Sequence, residues 1–439
     1  MKKRLLAMLL GLTMVISLAG CGKSEEPTQT PAESSPEETP QAEEEAQPQG
    51  GGELSGQTIS LLCCYDESKA ELYEMFDKFQ QDTGITLEIT AITSAADLQK
   101  QLTTLAVSGD LPDVVTLDRY VIPSFADMGI LKDITDLTAE LDMSTYYGGP
   151  LEGCKNEDKL YGMPFVANCL AVYYNKTLIE AANQSIPEAG WTWSDYEALA
   201  KAVSDPNAGY YGAVMSGSGD NDGGFQFYPW LWSAGGSAFE ADTDAAREAL
   251  GFLRGLIDEG AMSPEIANWT QTDASNQFAG GKAALFTGGS WHLSAFQSNI
   301  SDFEWGVVPY PVNDDTGKSI SCLGGYGICI TESCENVDAA WELIKFMESE
   351  EVMGYWNEAS NYIPVRKDVA EASEYFSSSD NLISVYTSSM DTAQSRGPHA
   401  KFVDIDACWQ GIFQEVYTGV ASPDEAIAEF APQIEALLQ

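Results

Sequence analysis

The sequence predicts an α/β protein of two lobes, and three observations carry that prediction. Residues 54–439 are one long stretch of mixed apolar and polar character, enough chain to bury two cores. Within it, short extended apolar runs alternate with segments whose apolar residues recur at helical spacing. No repeat of solenoid period interrupts that alternation. The first run, Thr58-Ile-Ser-Leu-Leu-Cys-Cys-Tyr65, reads as a buried strand. Leu72, Met75, Phe76 and Phe79 then mark the inner face of a helix. Residues 85–91 alternate as a second strand, and Ser94 caps a helix whose inner face is Leu98, Leu102 and Leu105. A third strand covers residues 113–117. Later helices start at capping boxes, Ser194-Asp-Tyr-Glu197 and Ser422-Pro-Asp-Glu425, the second with Pro in its first turn. Alternating strands and helices predict a mainly parallel sheet with helices on both faces.

Ahead of this body, Lys2, Lys3 and Arg4 precede an apolar run over residues 5–18, which ends in Leu18-Ala19-Gly20-Cys21. A basic start, a short apolar core and small residues before a cut describe a secretory signal peptide over residues 1–20. The run is too short, and too broken by Gly and Ser, to span a bilayer. The cysteine at the cut resembles the lipobox of bacterial lipoproteins. That resemblance implies diacylation of Cys21 and a membrane anchor on the extracytoplasmic face. The plain alternative is an ordinary signal peptide followed by a chance cysteine. Residues 21–53 are rich in Glu, Pro, Gln, Ser and Gly and lack aromatics. Such a segment buries too little apolar surface to offset its ordering entropy, so it reads as a disordered linker.

Composition narrows the function. Asp and Glu total 67 against 22 Lys and Arg, a formal charge of −45. Nucleic acid and anionic membrane surfaces both require a basic face, so neither is a partner of the body. Ten Trp leave enough aromatics for a ligand site beside the core. Lipidation of Cys21 leaves eight cysteines, none in a C-x-x-C pair. A chain this long needs no disulfide staples, so buried free thiols are one reading. Bridges among Cys322, Cys329 and Cys334 are the other, and spacing does not choose between them.

Several segments resemble one family in order along the chain. They are Leu111-Pro-Asp-Val-Val-Thr-Leu-Asp118, Tyr161-Gly-Met-Pro-Phe165 with Ala171-Val-Tyr-Tyr-Asn-Lys176, and Trp191-Thr-Trp-Ser-Asp195. Leu256-Ile-Asp-Glu-Gly260, the 278–291 segment Phe-Ala-Gly-Gly-Lys-Ala-Ala-Leu-Phe-Thr-Gly-Gly-Ser-Trp and Tyr362-Ile-Pro-Val365 follow. Together they are similar to the bacterial extracellular solute-binding proteins of family 1. Leu285 stands where that family usually has Met, and Asn361-Tyr362 replaces its Gly-containing version. The resemblance implies a type II, periplasmic-binding-protein-like fold with a three-segment hinge and a ligand cleft between lobes. Residues 54–164 and 323–360 would form the first lobe, and residues 165–322 and 361–439 the second. It further implies the lipid-anchored receptor of an ABC importer, a monomer that presents a mono- or oligosaccharide to membrane permease subunits. No catalysis, cofactor or metal is expected.

A pyranose has apolar C–H faces and a hydroxyl rim, so its site needs aromatic rings together with carboxylates, amides or guanidinium. The resemblance puts Trp291 in the cleft, with a core Trp as the alternative. Asp118 and Arg119 follow the third strand, where an Asp–Arg surface pair is the alternative. Tyr65 and Asp66 end the first strand, where Asp66 could instead cap a helix. Asn168 lies in the first crossover. Tyr228 and Trp230 follow the Gly-rich residues 217–224, from which the family draws a stacking aromatic, with one of Trp230 and Trp232 as a core residue. Tyr326 lies in Gly324-Gly-Tyr-Gly327 at the second crossover, where the glycines suit a hinge or a close backbone approach. The resemblance also implies that Arg396, His399 and Phe402 belong to a late loop that closes over the ligand.

Three other readings compete. A secreted glycoside hydrolase would need two carboxylates at a set separation, and 67 acidic residues supply chance pairs. Gly288-Gly-Ser-Trp-His292 fails the nucleophile-elbow pattern at its last position, and no H-E-x-x-H or P-loop occurs. Asp220-Asn-Asp222 hints at a calcium loop without the closing Glu. The same fold could carry a polyamine, or ferric iron on tyrosine pairs such as Tyr146-Tyr147, Tyr173-Tyr174 or Tyr210-Tyr211. A sensor or adhesin role is the third.

Overall fold

The structure is a computed structural model that describes residues 53–64 and 70–439, with backbone alone for residues 70–72. The expected signal peptide, Cys21, most of the linker, and Tyr65 and Asp66 lie outside the described residues. The strands run in order β1 (Thr58–Cys63), β2 (Thr86–Ala91), β3 (Val114–Asp118), β4 (Lys155–Asn156), β5 (Lys159–Leu160), β6 (Met163–Pro164) and β7 (Asn168–Asn175). They continue as β8 (Tyr211–Val214), β9 (Ala283–Gly289), β10 (Trp305–Val308), β11 (Cys322–Gly324), β12 (Tyr326–Ile330) and β13 (Gln394–Ser395). One sheet has the order β2-β1-β3-β12-β6, the other β13-β11-β7-β9-β8 with β10 on β7.

The sequence predicts mainly parallel pairing, and that holds only for β1 with β2 and β3, β8 with β9, and β11 with β13. Pairs of β12 with β3 and β6, and of β7 with β9, β10 and β11, are antiparallel. The reason is connectivity. β12 enters the first sheet directly from β11 of the second, so it arrives from the opposite end and runs against β3.

Side-chain alternation on β7 shows how the second sheet is covered on both faces. Leu170 and Val172 join a core with Trp193, Trp230 and Trp409, while Ala171 and Tyr173 face a core with Phe278, Phe286 and Phe296. The helix Ala95–Ser108 has Ser94 as N-cap and buries Leu98 and Leu102, as its spacing predicts. The Ser422 capping box also forms. The box expected at Ser194 does not. Its helix, Trp193–Val203, starts earlier, so Thr192 and Asp195 make the reciprocal pair and Ser194 N–H donates to Asp314 instead. All eight described cysteines are free thiols, including Cys322, Cys329 and Cys334.

The chain passes between the sheets at three places: β6 to β7, β11 to β12, and residues 360–365. These segments bond to one another. Ala167 and Ile363 exchange both backbone hydrogen bonds, at 2.9 and 2.7 Å, and Phe165 N–H donates to Tyr326 O at 3.2 Å. Gly325 turns the second crossover at φ +114°, where a Cβ would also lie 2.3 Å from Val166 O. Both facts require glycine.

Beside the third crossover, Glu348 is buried and accepts from Tyr146 OH at 2.8 Å through Oε2, while Oε1 has no partner. Burial pushes its pKa up to about 8, against the pull of the Tyr146 hydrogen bond and Arg366. The folded state therefore holds a proton that the unfolded state releases from about 4.5 upward. Stability contributed by this group falls as pH rises from about 5 to 8 and levels off above. Glu348→Gln should flatten that slope in urea unfolding across this range. Parallel curves for variant and wild type would exclude the assignment.

Candidate functional site

A cavity of about 310 Å³ opens where the two sheets meet, and residues from both line it. The first sheet contributes Asp118 at the end of β3 and Tyr326 at the start of β12, and the helix Ala95–Ser108 contributes Ala95. Asn168, Gly324, Gly325 and Tyr362 come from the crossovers. The second sheet's side contributes Trp291 after β9 and Arg396 after β13. Asn221, Asp222 and Phe225 project from the start of the helix Asn221–Ser233, and Gln271 and Thr272 from the start of Gln271–Ala279.

Trp291 owes its place to the glycines before it. A Cβ on Gly289 would lie 1.8 Å from Trp291 Cζ3, so the indole rests directly on that backbone. Ser290 OH donates to Asn361 O at 2.6 Å and ties this turn to the third crossover. The Phe225 ring lies 6.2 Å away, centroid to centroid, and Tyr326 and Tyr362 form an edge-to-face pair at 6.4 Å.

Arg396 is buried, with its guanidinium carbon 4.3 Å from the Tyr120 ring centroid and 4.9 Å from that of Phe225. Its Nη1 donates to Asn221 Oδ1, while its Nε has no protein partner. Two aromatic faces hold the cation by its ring quadrupoles. Burial pushes the Asp118 carboxyl up to about 6, although Arg396 and then Arg119 pull it down. Burial also raises Asp222, restrained by the backbone N–H of Gln271. Asn168 Oδ1 has no partner and sits where a Cβ on Gly324 would come within 2.3 Å. Glycine at 324 therefore keeps this part of the cavity open. The result is a concave site with aromatic surfaces, carboxylate and amide acceptors, and one oriented cation.

Of the residues expected at a cleft, Asp118, Asn168, Trp291, Tyr326 and Arg396 line this cavity. Others require correction. Arg119 turns away, because its guanidinium donates to Val166 O at 2.8 Å and to Gly324 O. Tyr228 and Trp230 are fully buried, because their segment is a helix and only its first turn reaches the cavity. Tyr228 OH donates to Asp406 at 2.8 Å, and Trp230 packs on Trp193, Tyr196 and Phe252. His399 Nδ1 accepts from Lys401 N–H and its ring faces Phe239, while Phe402 is a core residue.

Asn221, Asp222, Phe225, Gln271, Thr272 and Tyr362 are among the lining residues that the sequence reading misses as ligand contacts. Four of them follow N-cap residues, Asp220 and Thr270, so helix starts were the available signal. The hinted calcium loop is also explained by capping: Asp220 caps this helix and Asp222 holds Gln271. Among the described residues, no group of three or more His, Cys, Asp or Glu converges as a metal site.

A family model described as bacterial extracellular solute-binding protein matches residues 74–382, well over half of the chain. Among curated relatives, a binding protein of Brucella abortus (strain 2308) is 23% identical over 376 residues, 82% of this chain and 87% of the relative. The maltooligosaccharide ABC transporter solute-binding lipoprotein of Streptococcus pneumoniae (strain ATCC BAA-255 / R6) is 22% identical over 395 residues, 85% of this chain and 86% of the relative. Among solved structures, an ABC transporter solute-binding protein from Thermotoga lettingae TMO, bound with alpha-D-tagatose, superimposes with a TM-score of 0.77. It is 22% identical and the match covers 87% of this chain and 100% of that one.

The packing of Trp291 on Gly289 can be tested by paired glycine substitutions. Gly289→Ala should destabilise by about 1–3 kcal/mol, because the ring must shift in a packed turn. Gly251→Ala, on an exposed helix face with open space around it, should instead stabilise by about 0.5–1 kcal/mol. Urea unfolding of both variants measures the contrast, and equal effects would show that Trp291 does not depend on that missing Cβ.

Proposed function

The chain belongs to the bacterial extracellular solute-binding proteins, and from that membership we propose that it is the carbohydrate receptor of an ABC importer. The cavity lining carries this reading. Trp291 and Phe225 offer apolar ring faces beside Asp118, Asn168, Gln271 and Arg396, the combination a sugar's C–H faces and hydroxyl rim require. The cavity volume of about 310 Å³ is in the range of small-ligand sites. A maltooligosaccharide transporter relative and a tagatose-bound structural neighbour support the same class.

In this reading, a mono- or oligosaccharide sits between lobes of residues 54–164 with 323–360 and 165–322 with 361–439. The lobes close about the three crossovers and bury it. Asp118 accepts hydroxyl donors, Arg396 donates, and Trp291 stacks on a ring face. Tyr326 and Asn168 complete the contacts. The protein performs no chemistry on the sugar. A signal peptide over residues 1–20, lipid on Cys21 and a linker over residues 21–53 hold it, as a monomer, at the extracytoplasmic face near its permease subunits.

A thermal-shift panel tests the cargo: glucose, galactose, mannose, tagatose, maltose and maltotriose, against spermidine and ferric citrate. A ligand that binds the folded state raises the melting temperature by mass action. One sugar class should give a concentration-dependent shift, and Trp291→Ala should weaken its binding about tenfold or more, ~1.4 kcal/mol, with folding intact. A shift with spermidine or iron alone would discard the sugar.

The Asp118 carboxyl predicts a pH dependence. Hydroxyl donors favour its ionised form, so binding competes with the proton held up to about 6. Affinity should fall about tenfold between pH ~7 and ~5 in the wild type. Asp118→Asn should bind more weakly at neutral pH and lose that pH dependence in calorimetric titration.

A further inference from the structure

Asp222 and Gln271 form a unit at the second-lobe wall of the cavity, and the mechanism above leaves its detail unused. Gln271 backbone N–H donates to Asp222 Oδ2 and Gln271 Nε2 donates to Asp222 Oδ1, both at 3.0 Å. Both residues line the cavity. A carboxylate only accepts, so it fixes which end of the Gln271 amide faces it. One of the two Nε2 protons goes to Asp222, which turns the nitrogen toward the carboxylate and leaves Oε1 on the other arm of the planar amide. Oε1 is left as an acceptor.

The rest of the wall agrees with that polarity. Asp118 is an acceptor, Asn168 Oδ1 is a buried acceptor without a partner, and Asn221 Oδ1 is already taken by Arg396. Gln271 opens its helix, with Thr270 and Asp273 closing a capping box around that turn. Its backbone is therefore fixed independently of any ligand. A second tie through Asp222 leaves the side chain little freedom to reverse.

We infer that Gln271 is a specificity-determining residue of the cleft. Asp222 is its positioning residue, setting the amide so that the site selects a saccharide with a hydroxyl donor at that point. This rests on the carbohydrate reading above and deepens it. A sugar with fluorine at that carbon keeps the size of the hydroxyl but has no proton to donate, so the site rejects it.

The test uses the purified full chain and the tightest-binding sugar of the panel above, with its complete set of monodeoxyfluoro analogues, by calorimetric titration. The wild type should lose about three- to tenfold in affinity at one ring position, the range of one neutral hydrogen bond. Gln271→Ala and the near-isosteric Gln271→Met should bind the parent sugar more weakly by a similar factor. Neither should show any further loss at that ring position. In Asp222→Asn, the new amide can donate to Gln271 and reverse it. The fluorine penalty there should shrink while the unfolding midpoint stays within error, which a purely structural role for Asp222 would not produce. If both Gln271 variants keep the full penalty at every position, the inference is overturned while the carbohydrate reading stands. If the wild type binds no sugar of the panel, the carbohydrate reading falls and the inference falls with it.

Discussion

Two lobes can share a cleft only if the segments that join them keep their buried backbone groups paired after leaving the sheets. Here the crossovers pair with one another, and side chains such as Arg119 and Ser290 take further carbonyls. The Arg119 guanidinium takes Val166 O from the first crossover and Gly324 O from the second. Burial draws its pKa down only to about 10, so it keeps its proton and remains a donor at neutral pH. Several residues that line the cavity are placed at this junction. Asn168, Gly324 and Tyr326 lie on the crossovers themselves, and Asp118 is the residue before Arg119.

The same junction explains how a strongly acidic protein keeps a cation in its cleft. Most ion pairs among the described residues involve side chains at least a quarter exposed, where they contribute little to stability. Arg396 is different. It is buried between two aromatic faces, with Asn221 holding one nitrogen and Asp118 and Asp406 nearby. Tyr120 follows the first sheet's β3, while Phe225 belongs to the helix Asn221–Ser233. The cation is therefore held between segments far apart in the chain, beside acceptors that polyol hydroxyls would satisfy.

Much of the fold was legible because its signals are local. Apolar runs marked β1 and β3, and Ser94 and Ser422 marked helix starts, since a cap acts within one turn. The Ser194 cap was misread by two residues because Thr192 carries the same chemistry within the same turn. The site was less legible. Tyr228 and Trp230 look like sugar-stacking residues, yet their helix starts at Asn221 and carries them into the core. Arg119 beside Asp118 looks like one functional pair, but the turn after β3 sends the two side chains in opposite directions. Gln271 follows a helix cap, but its pairing with Asp222, 49 residues away in sequence, left no local signal.

The sequence by itself determined the α/β class, the alternation of elements and the family, because patterning, capping and ordered motifs are written in neighbouring residues. It also singled out Trp291, whose glycine neighbours belong to the same motif. Only the tertiary structure decided the strand directions, the free state of the described cysteines and which polar groups meet in the cleft. Those outcomes depend on where three crossovers bring distant segments together. That placement is set by backbone pairing such as Ala167 with Ile363, across nearly two hundred residues, which no local pattern encodes.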